Sequence, residues 1–146
     1  MYKRTIKNSL LFLPRVLWFL ISFPIVFAIM WRIPEKIRDK DWHGLLVKAI
    51  RLHKIGFHTQ STWYWHALAY ANLGKWTDAL KCFETIAKPL EIEDEPYRWC
   101  MHAYVLAKLG RLTEGQTLLI NKNFLNWPNY LKDWADNFLL GFSEKP

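Results

Sequence analysis

The chain has 146 residues, of which 51% are hydrophobic and 16% aromatic, and its formal net charge is +7. This apolar content excludes a disordered chain. Two cysteines are too few for a disulfide-stapled miniprotein or a four-cysteine zinc site. Residues 1–58 contain eleven Lys and Arg against three acids, whereas residues 59–146 contain nine against ten. Because the excess of positive charge is confined to the N-terminal third, we expect no nucleic acid partner and look for a local explanation.

The longest apolar run of the chain covers residues 10–31 and contains a single charged residue, Arg15. A helix over this run is roughly 33 Å long, which is enough to cross a hydrocarbon core of about 30 Å. Arg15 lies near one end, where its side chain can reach the lipid headgroups. Trp18 and Trp31, the latter beside Arg32, suit the membrane interfaces. The sequence therefore predicts a retained transmembrane helix over residues 10–31.

The apolar run is also compatible with two other arrangements. Val26 to Ala28 is a weak match to a signal-peptide cleavage site, and a bend at Pro24 fits a helix that dips into the bilayer or lies along it. More Lys and Arg follow the run than precede it, which favours a domain on the cytoplasmic side. The basic residues before the run are also typical of a signal anchor whose N-terminus stays inside, so the opposite orientation is open. We expect the membrane to be a bacterial inner membrane. We assign residues 1–33 to the anchor and its flanks.

Residues 34–58 form a basic segment that starts at Pro34, a helix breaker. Within it, Lys40–Lys54 has its apolar side chains at helical spacing and its cations elsewhere, which predicts an amphipathic helix. The apolar stripe consists of Trp42, Leu45, Leu46, Ala49, Ile50 and His53. Two placements are open: the stripe packs on the following domain as an end cap, which we favour, or the helix lies on anionic lipid.

An internal repeat at an offset of 36 residues is the strongest signal in the sequence. Each copy predicts a helix, a tight turn and a second helix, roughly residues 60–73 with 76–88 and residues 97–109 with 112–121. The glycine of each turn suits the left-handed residue that ends a helix, and the threonine after it suits the start of the next helix. The identical pairs are Trp63/Trp99, His66/His102, Ala67/Ala103, Ala71/Ala107, Leu73/Leu109, Gly74/Gly110 and Thr77/Thr113.

This pattern resembles the tetratricopeptide repeat, whose signature runs Trp-x₂-Leu-Gly-x₂-Tyr, then Ala-x₃-Phe, then Pro. The first copy matches in residue type or size at Trp63, Ala67, Tyr70, Gly74, Ala79 and Phe83. It departs at His66, where the family has Leu, and the second copy is more degenerate. Gly115 and Leu119 are the counterparts of Ala79 and Phe83, and all four are predicted to point back at the first helix of their copy.

The resemblance covers residues 59–122 and implies an all-α fold. The predicted architecture is an N-terminal transmembrane helix followed by a short tetratricopeptide-like solenoid of αα-hairpins with capping helices. Residues 123–146 form the C-terminal capping helix and tail, because their apolar side chains again follow helical spacing and a solenoid requires closed ends.

Motifs that carry chemistry are missing from the sequence. All six glycines are isolated, so there is no phosphate-binding loop. Cys100 and His102 lie two apart on a predicted helix and diverge, so they cannot share a metal ion. We predict that His66 and His102 have packing roles and that Cys82 and Cys100 are small core residues. The expectation is no catalytic residue, no metal and no cofactor.

Tetratricopeptide arrays are binding modules whose first helices line a concave groove for a peptide or partner helix. The resemblance implies that this groove presents Tyr64, Leu68 and Asn72 from the first copy and Cys100, Tyr104 and Lys108 from the second. Such a groove suits apolar anchoring of a protein partner. We therefore expect a membrane-anchored adaptor that supports assembly of a membrane or envelope complex. The alternatives are an accessory structural subunit of a multi-protein membrane machine and, third, a small membrane-tethered enzyme.

Overall fold

The computed structural model describes residues 23–87, 90, 94–122, 124–142 and 144–146. Over these ranges the chain contains helices and no strand, so the predicted all-α class is confirmed for them. A helical segment at residues 23–30 comes first. It is followed by α1 (Ile33–Arg38), α2 (Trp42–Lys54), α3 (Gln60–Asn72), α4 (Trp76–Thr85), α5 (Glu95–Lys108), α6 (Leu112–Ile120) and α7 (Asn129–Leu139).

The predicted transmembrane helix falls largely outside the described residues, and so do Arg15 and Trp18. Its described part is the helical segment 23–30, which ends at a turn formed by Trp31 and Arg32. Both of these side chains are exposed. Among the helices that the structure describes, none combines the length and the apolar character needed to cross a membrane. The anchor therefore stays a prediction.

The helix pairs α3–α4 and α5–α6 form two hairpins with matching turns, at bounds close to those predicted. Gly74 and Gly110 have φ values of +73° and +77°, as the sequence predicts. In the first turn, the amide of Lys75 donates to the carbonyl of Tyr70 (2.9 Å) and that of Gly74 to the carbonyl of Ala71 (3.2 Å). These two bonds define a Schellman motif. The second turn repeats them, from Arg111 to Leu106 and from Gly110 to Ala107.

The second helix of each hairpin starts directly before the repeated threonine. Thr77 and Thr113 thus lie in the first turn, and within the described residues neither helix has a side-chain cap. The N-cap positions are taken by Lys75 and Arg111, each of which follows the turn glycine. Both threonines therefore lie at the start of the second helix, at the predicted bounds, and Lys75 and Arg111 are the N-cap residues because each follows the glycine of its Schellman turn.

The repeated small and apolar residues form the buried interface within each hairpin. Ala79 and Phe83 on α4, and Gly115 and Leu119 on α6, are all buried, as predicted. At Gly115 the helices come so close that an added Cβ would lie 2.8 Å from the carbonyl oxygen of Ala103 on α5. The second copy therefore needs glycine where the first copy has alanine.

Helices α2 and α7 cover the two ends of the hairpin array. On α2, Leu45 and Ala49 have no exposed surface, and the helix packs against α3. Of the two placements open for the basic helix, the structure shows packing on the following domain. At the other end, Ala135 and Phe138 of α7 are buried in one cluster with Ala103 and Leu119. The array is thus closed at both ends by helices of the same chain.

Candidate functional site

The six residues predicted to line the groove occupy equivalent positions on the first helices, α3 and α5. Four of them are buried, with exposed fractions of 4% for Tyr64, 3% for Leu68, 0% for Cys100 and 7% for Tyr104. The remaining two are Asn72, which is half-buried, and Lys108, which is exposed. The four apolar side chains therefore belong to the core of the array and do not line an open groove, which corrects the predicted set.

Tyr64 lies close to the start of α5 and to α7. Arg98, which is only 3% exposed, forms a bidentate ion pair with Glu95 at this point, with 2.7 Å between Nη2 and Oε1. Burial is the largest effect that raises the pKa of Tyr64, and Asp94 and Tyr130 add to it. The Tyr64 hydroxyl is therefore neutral and enclosed within the described part of the protein.

Tyr104 packs between the two hairpins. Its ring meets that of Trp76 edge to face, with 5.8 Å between the ring centroids. Lys108 Nζ lies 5.1 Å from the Tyr104 ring centroid, so the ammonium group and the ring form a cation–π contact. Cys100 lies one turn earlier on α5, and burial raises the pKa of its thiol to about 12. A thiol with so high a pKa is a packing residue and not a nucleophile.

Asn72 binds the C-terminal tail, residues 144–146. Its side-chain amide donates to the carbonyl of Leu68 at 2.8 Å, and its Oδ1 accepts a hydrogen bond from Lys145 Nζ. Lys145 Nζ also lies 5.8 Å from the ring centroid of Trp42, at the start of α2. A cationic side chain from the tail is therefore held between an amide on α3 and an aromatic ring on α2.

The tail is fixed on its other side by α7. Trp134 Nε1 donates to the carbonyl of Glu144 at 2.8 Å. A small cleft of about 240 Å³ opens here, lined by Trp134, Asn137, Phe142 and Glu144. The tail thus connects the last helix of the array to the first helix of the first copy, a link that sequence periodicity does not predict.

Three histidines meet between α2 and α3. The His53 ring centroid lies 4.8 Å from that of His58 and 4.3 Å from that of His66. His53 Nε2 lies 3.0 Å from Thr62 Oγ1, and Trp63 stands beside the same ring. Burial, with smaller effects from His66 and His58, lowers the pKa of His53 to about 4, so the His53 ring is neutral at pH 7. The sequence indicates that His53 faces α3, because the apolar stripe of α2 includes His53 and a short connection leads to α3.

The histidines pack and do not form a metal centre in the part of the chain that the structure describes. No group of three or more His, Cys, Asp or Glu is placed there to hold a metal ion. His66 Nε2 and His102 Nδ1 are buried and have no hydrogen-bond partner among the residues that the structure describes. His102 stacks on Phe83 with 5.2 Å between ring centroids, and burial lowers its pKa to about 4. These contacts support the packing role predicted for both histidines.

Comparison of the chain with protein-family models, with curated proteins and with solved structures gave no match.

Proposed function

We propose that this protein is a membrane-anchored helical-repeat adaptor of the tetratricopeptide type, without enzymatic activity. Residues 10–31 anchor it in a bacterial inner membrane, and the hairpins stand on the cytoplasmic side. It binds a protein partner along a rim formed by the start of α2 and the C-terminal ends of α3 and α5, which we define as Trp42, Asn72 and Lys108. By holding that partner at the bilayer, it supports the assembly of a membrane complex.

The observation that carries this proposal is the contact between the rim and the tail. The C-terminal tail, residues 144–146, already lies on the rim, where Asn72 and Trp42 hold the side chain of Lys145. An amide and an aromatic ring at a helix end are well suited to hold a polar side chain of an extended peptide. The same surface is therefore competent to hold a segment of another protein.

The second copy offers the same position in an open state. Lys108 is equivalent to Asn72 in the repeat, and its side chain is exposed. Its ammonium group suits a carboxylate or carbonyl oxygen of a partner, and Tyr104 beneath it fixes its direction. A partner segment can contact Lys108 directly and reach Asn72 when it displaces Lys145.

Site-specific photocrosslinking of the full chain in its own membrane tests this proposal. A photoreactive residue replaces Lys108 in one variant and Lys81, which is exposed on α4, in the control. Each variant is made with and without Lys145→Met, which removes the hydrogen bond from the tail to Asn72. We expect one crosslinked protein from position 108, at higher yield with Lys145→Met, and no such product from position 81.

Three results would contradict this proposal. Equal crosslinking from positions 108 and 81 would exclude the rim as the partner site. A yield from position 108 that Lys145→Met leaves unchanged would show that the tail and the partner do not compete. A partner that stays at a fixed stoichiometry through purification, with no loss on mutation of the rim, would favour the accessory structural subunit instead.

A further inference from the structure

An open groove lies between the helical segment 23–30 and α2. Its volume is about 810 Å³. One part of its wall is apolar and the other is cationic. The apolar part consists of Pro24, Ile25, Phe27, Ala28, Ile29 and Trp31, and the cationic part of Arg32, Lys48 and Arg51.

The apolar wall is exposed to a degree that is unusual for large side chains. Phe27 is 54% exposed and Trp31 is 73% exposed. The two rings lie against each other, with 5.6 Å between their centroids, and Phe23 continues the same row at 6.4 Å from Phe27. A contiguous exposed aromatic row of this kind marks a surface that contacts a membrane or another apolar ligand.

The cationic wall carries three like charges that no salt bridge neutralises within the described residues. Burial is the largest effect that lowers the pKa of Lys48, and the charges of Arg32 and Arg51 lower it further, as does Lys36. Lys36 forms an ion pair with Asp41, with 2.7 Å between Nζ and Oδ2. Glu35 raises the pKa of Lys48, but its effect is the smallest of those that act on this group. The groove therefore concentrates positive charge that an anionic ligand would compensate.

We propose that this groove binds one anionic phospholipid of the bilayer, with its phosphate between Arg32, Lys48 and Arg51 and its acyl chain along Phe27 and Trp31. The groove lies where the apolar run of the sequence ends and the basic segment begins, which is the depth of the headgroups if the run crosses the membrane. A phospholipid has both the charge and the apolar chain that the two walls require. Lipid binding here rests on the proposed membrane association, but not on the proposed protein partner.

Native mass spectrometry of the full chain in a non-ionic detergent tests this inference. The probes are dioleoyl phosphatidylglycerol, which is anionic, and dioleoyl phosphatidylcholine, which has the same acyl chains and no net charge. We expect one phosphatidylglycerol molecule to be retained in preference to phosphatidylcholine. Each cation near an anionic lipid surface contributes about fivefold in affinity, so Arg32→Gln, Lys48→Gln and Arg51→Gln together should weaken retention on the order of a hundredfold.

The matched control removes the same number of charges outside the groove, at Lys54, Lys75 and Lys81, all of which are exposed. This triple Gln variant should retain phosphatidylglycerol as the wild type does. Circular dichroism verifies that both variants fold, and Arg51→Gln alone, at an exposed position, gives a single-site test with a loss of about fivefold.

Any of three outcomes would overturn the assignment. Equal retention of the two lipids would show that the cations do not select the ligand. An equal loss of phosphatidylglycerol retention in the control variant would show that the total charge of the protein, and not the groove, determines lipid binding. Complete displacement of the lipid by millimolar glycerol 3-phosphate would assign the groove to a soluble phosphate. None of these results would change the crosslinking pattern expected at the rim, so the two proposals fail separately.

Discussion

Replacing Gly115 by alanine should destabilise the protein, although the same change stabilises most helices. Gly115 lies inside α6, where alanine is normally the better helix former by about 1 kcal/mol. The structure reverses this expectation, because a Cβ at this position would lie 2.8 Å from the backbone oxygen of Ala103 and 3.2 Å from the Phe138 ring. Both neighbours belong to the core that joins α5, α6 and α7.

The magnitude follows from which of these atoms can move. The carbonyl oxygen of Ala103 is backbone, so the whole of α5 or α6 must shift to relieve the contact. Because a whole helix must shift, we expect the overpacking to lower the free energy of unfolding by about 3 kcal/mol, which is the upper end of the usual range. After the gain in helix propensity, a net loss of about 2 kcal/mol remains. For a domain of this size, that loss lowers the melting temperature by about 10 °C.

Urea unfolding of the full chain in a non-ionic detergent, followed by circular dichroism, measures this loss. Thr113→Ala is the control, because Thr113 is an exposed residue of the same helix, and it should change stability by less than about 0.5 kcal/mol. In a Phe138→Leu background, Gly115→Ala should cost nearly as much as in the wild type, since the smaller side chain leaves the carbonyl in place. A Gly115→Ala protein as stable as the wild type would refute the close packing of α5 and α6.

Two further predictions concern the Gly74 turn and the buried histidine. Gly74→Val should lower the free energy of unfolding in urea by about 2 kcal/mol, because φ at this residue is +73°. Gly74→Asn should lower it by about half as much, since asparagine tolerates this region of backbone angles. Equal losses in the two variants would show that backbone strain is not the cause. The pKa of His102 is lowered to about 4 in the folded state, so stability should fall as the pH falls from about 6.5 towards 4. His102→Phe should recover about 3 kcal/mol of that loss by pH 4, and His43→Gln, at an exposed position, is the control.

The hairpins were predictable from the sequence because their signals are local. The offset of 36 residues aligns Gly74 with Gly110, and a left-handed glycine needs only its own turn to end a helix. The burial of Ala79 and Phe83 likewise follows from helical spacing within one hairpin. These features depend on residues within about one repeat of each other, which a single sequence displays directly.

The candidate site was less predictable, because helical spacing tells which side chains share a face and not what covers that face. Tyr64 and Tyr104 were placed correctly on the first helices, yet both are buried. The neighbours that enclose them come from other elements, including Trp76 at the start of α4. Asn72 and Lys108 belonged to the predicted set, whereas the contacts of Lys145 with Asn72 and Trp42 leave no periodic trace and are seen only in the structure.

The hydrogen bond between Asn72 and Lys145 also bears on the order in which the protein folds. Most contacts in a hairpin array join neighbouring elements, so each hairpin can form as soon as its own residues are available. This bond joins residues 73 positions apart, and Lys145 is synthesised long after the first hairpin. Asn72 is ready for it, because its amide is already held by the Leu68 carbonyl of its own helix. Closure of the tail is therefore a late step that couples the first hairpin to the last helix, and a nascent chain that has not reached Lys145 exposes the whole rim.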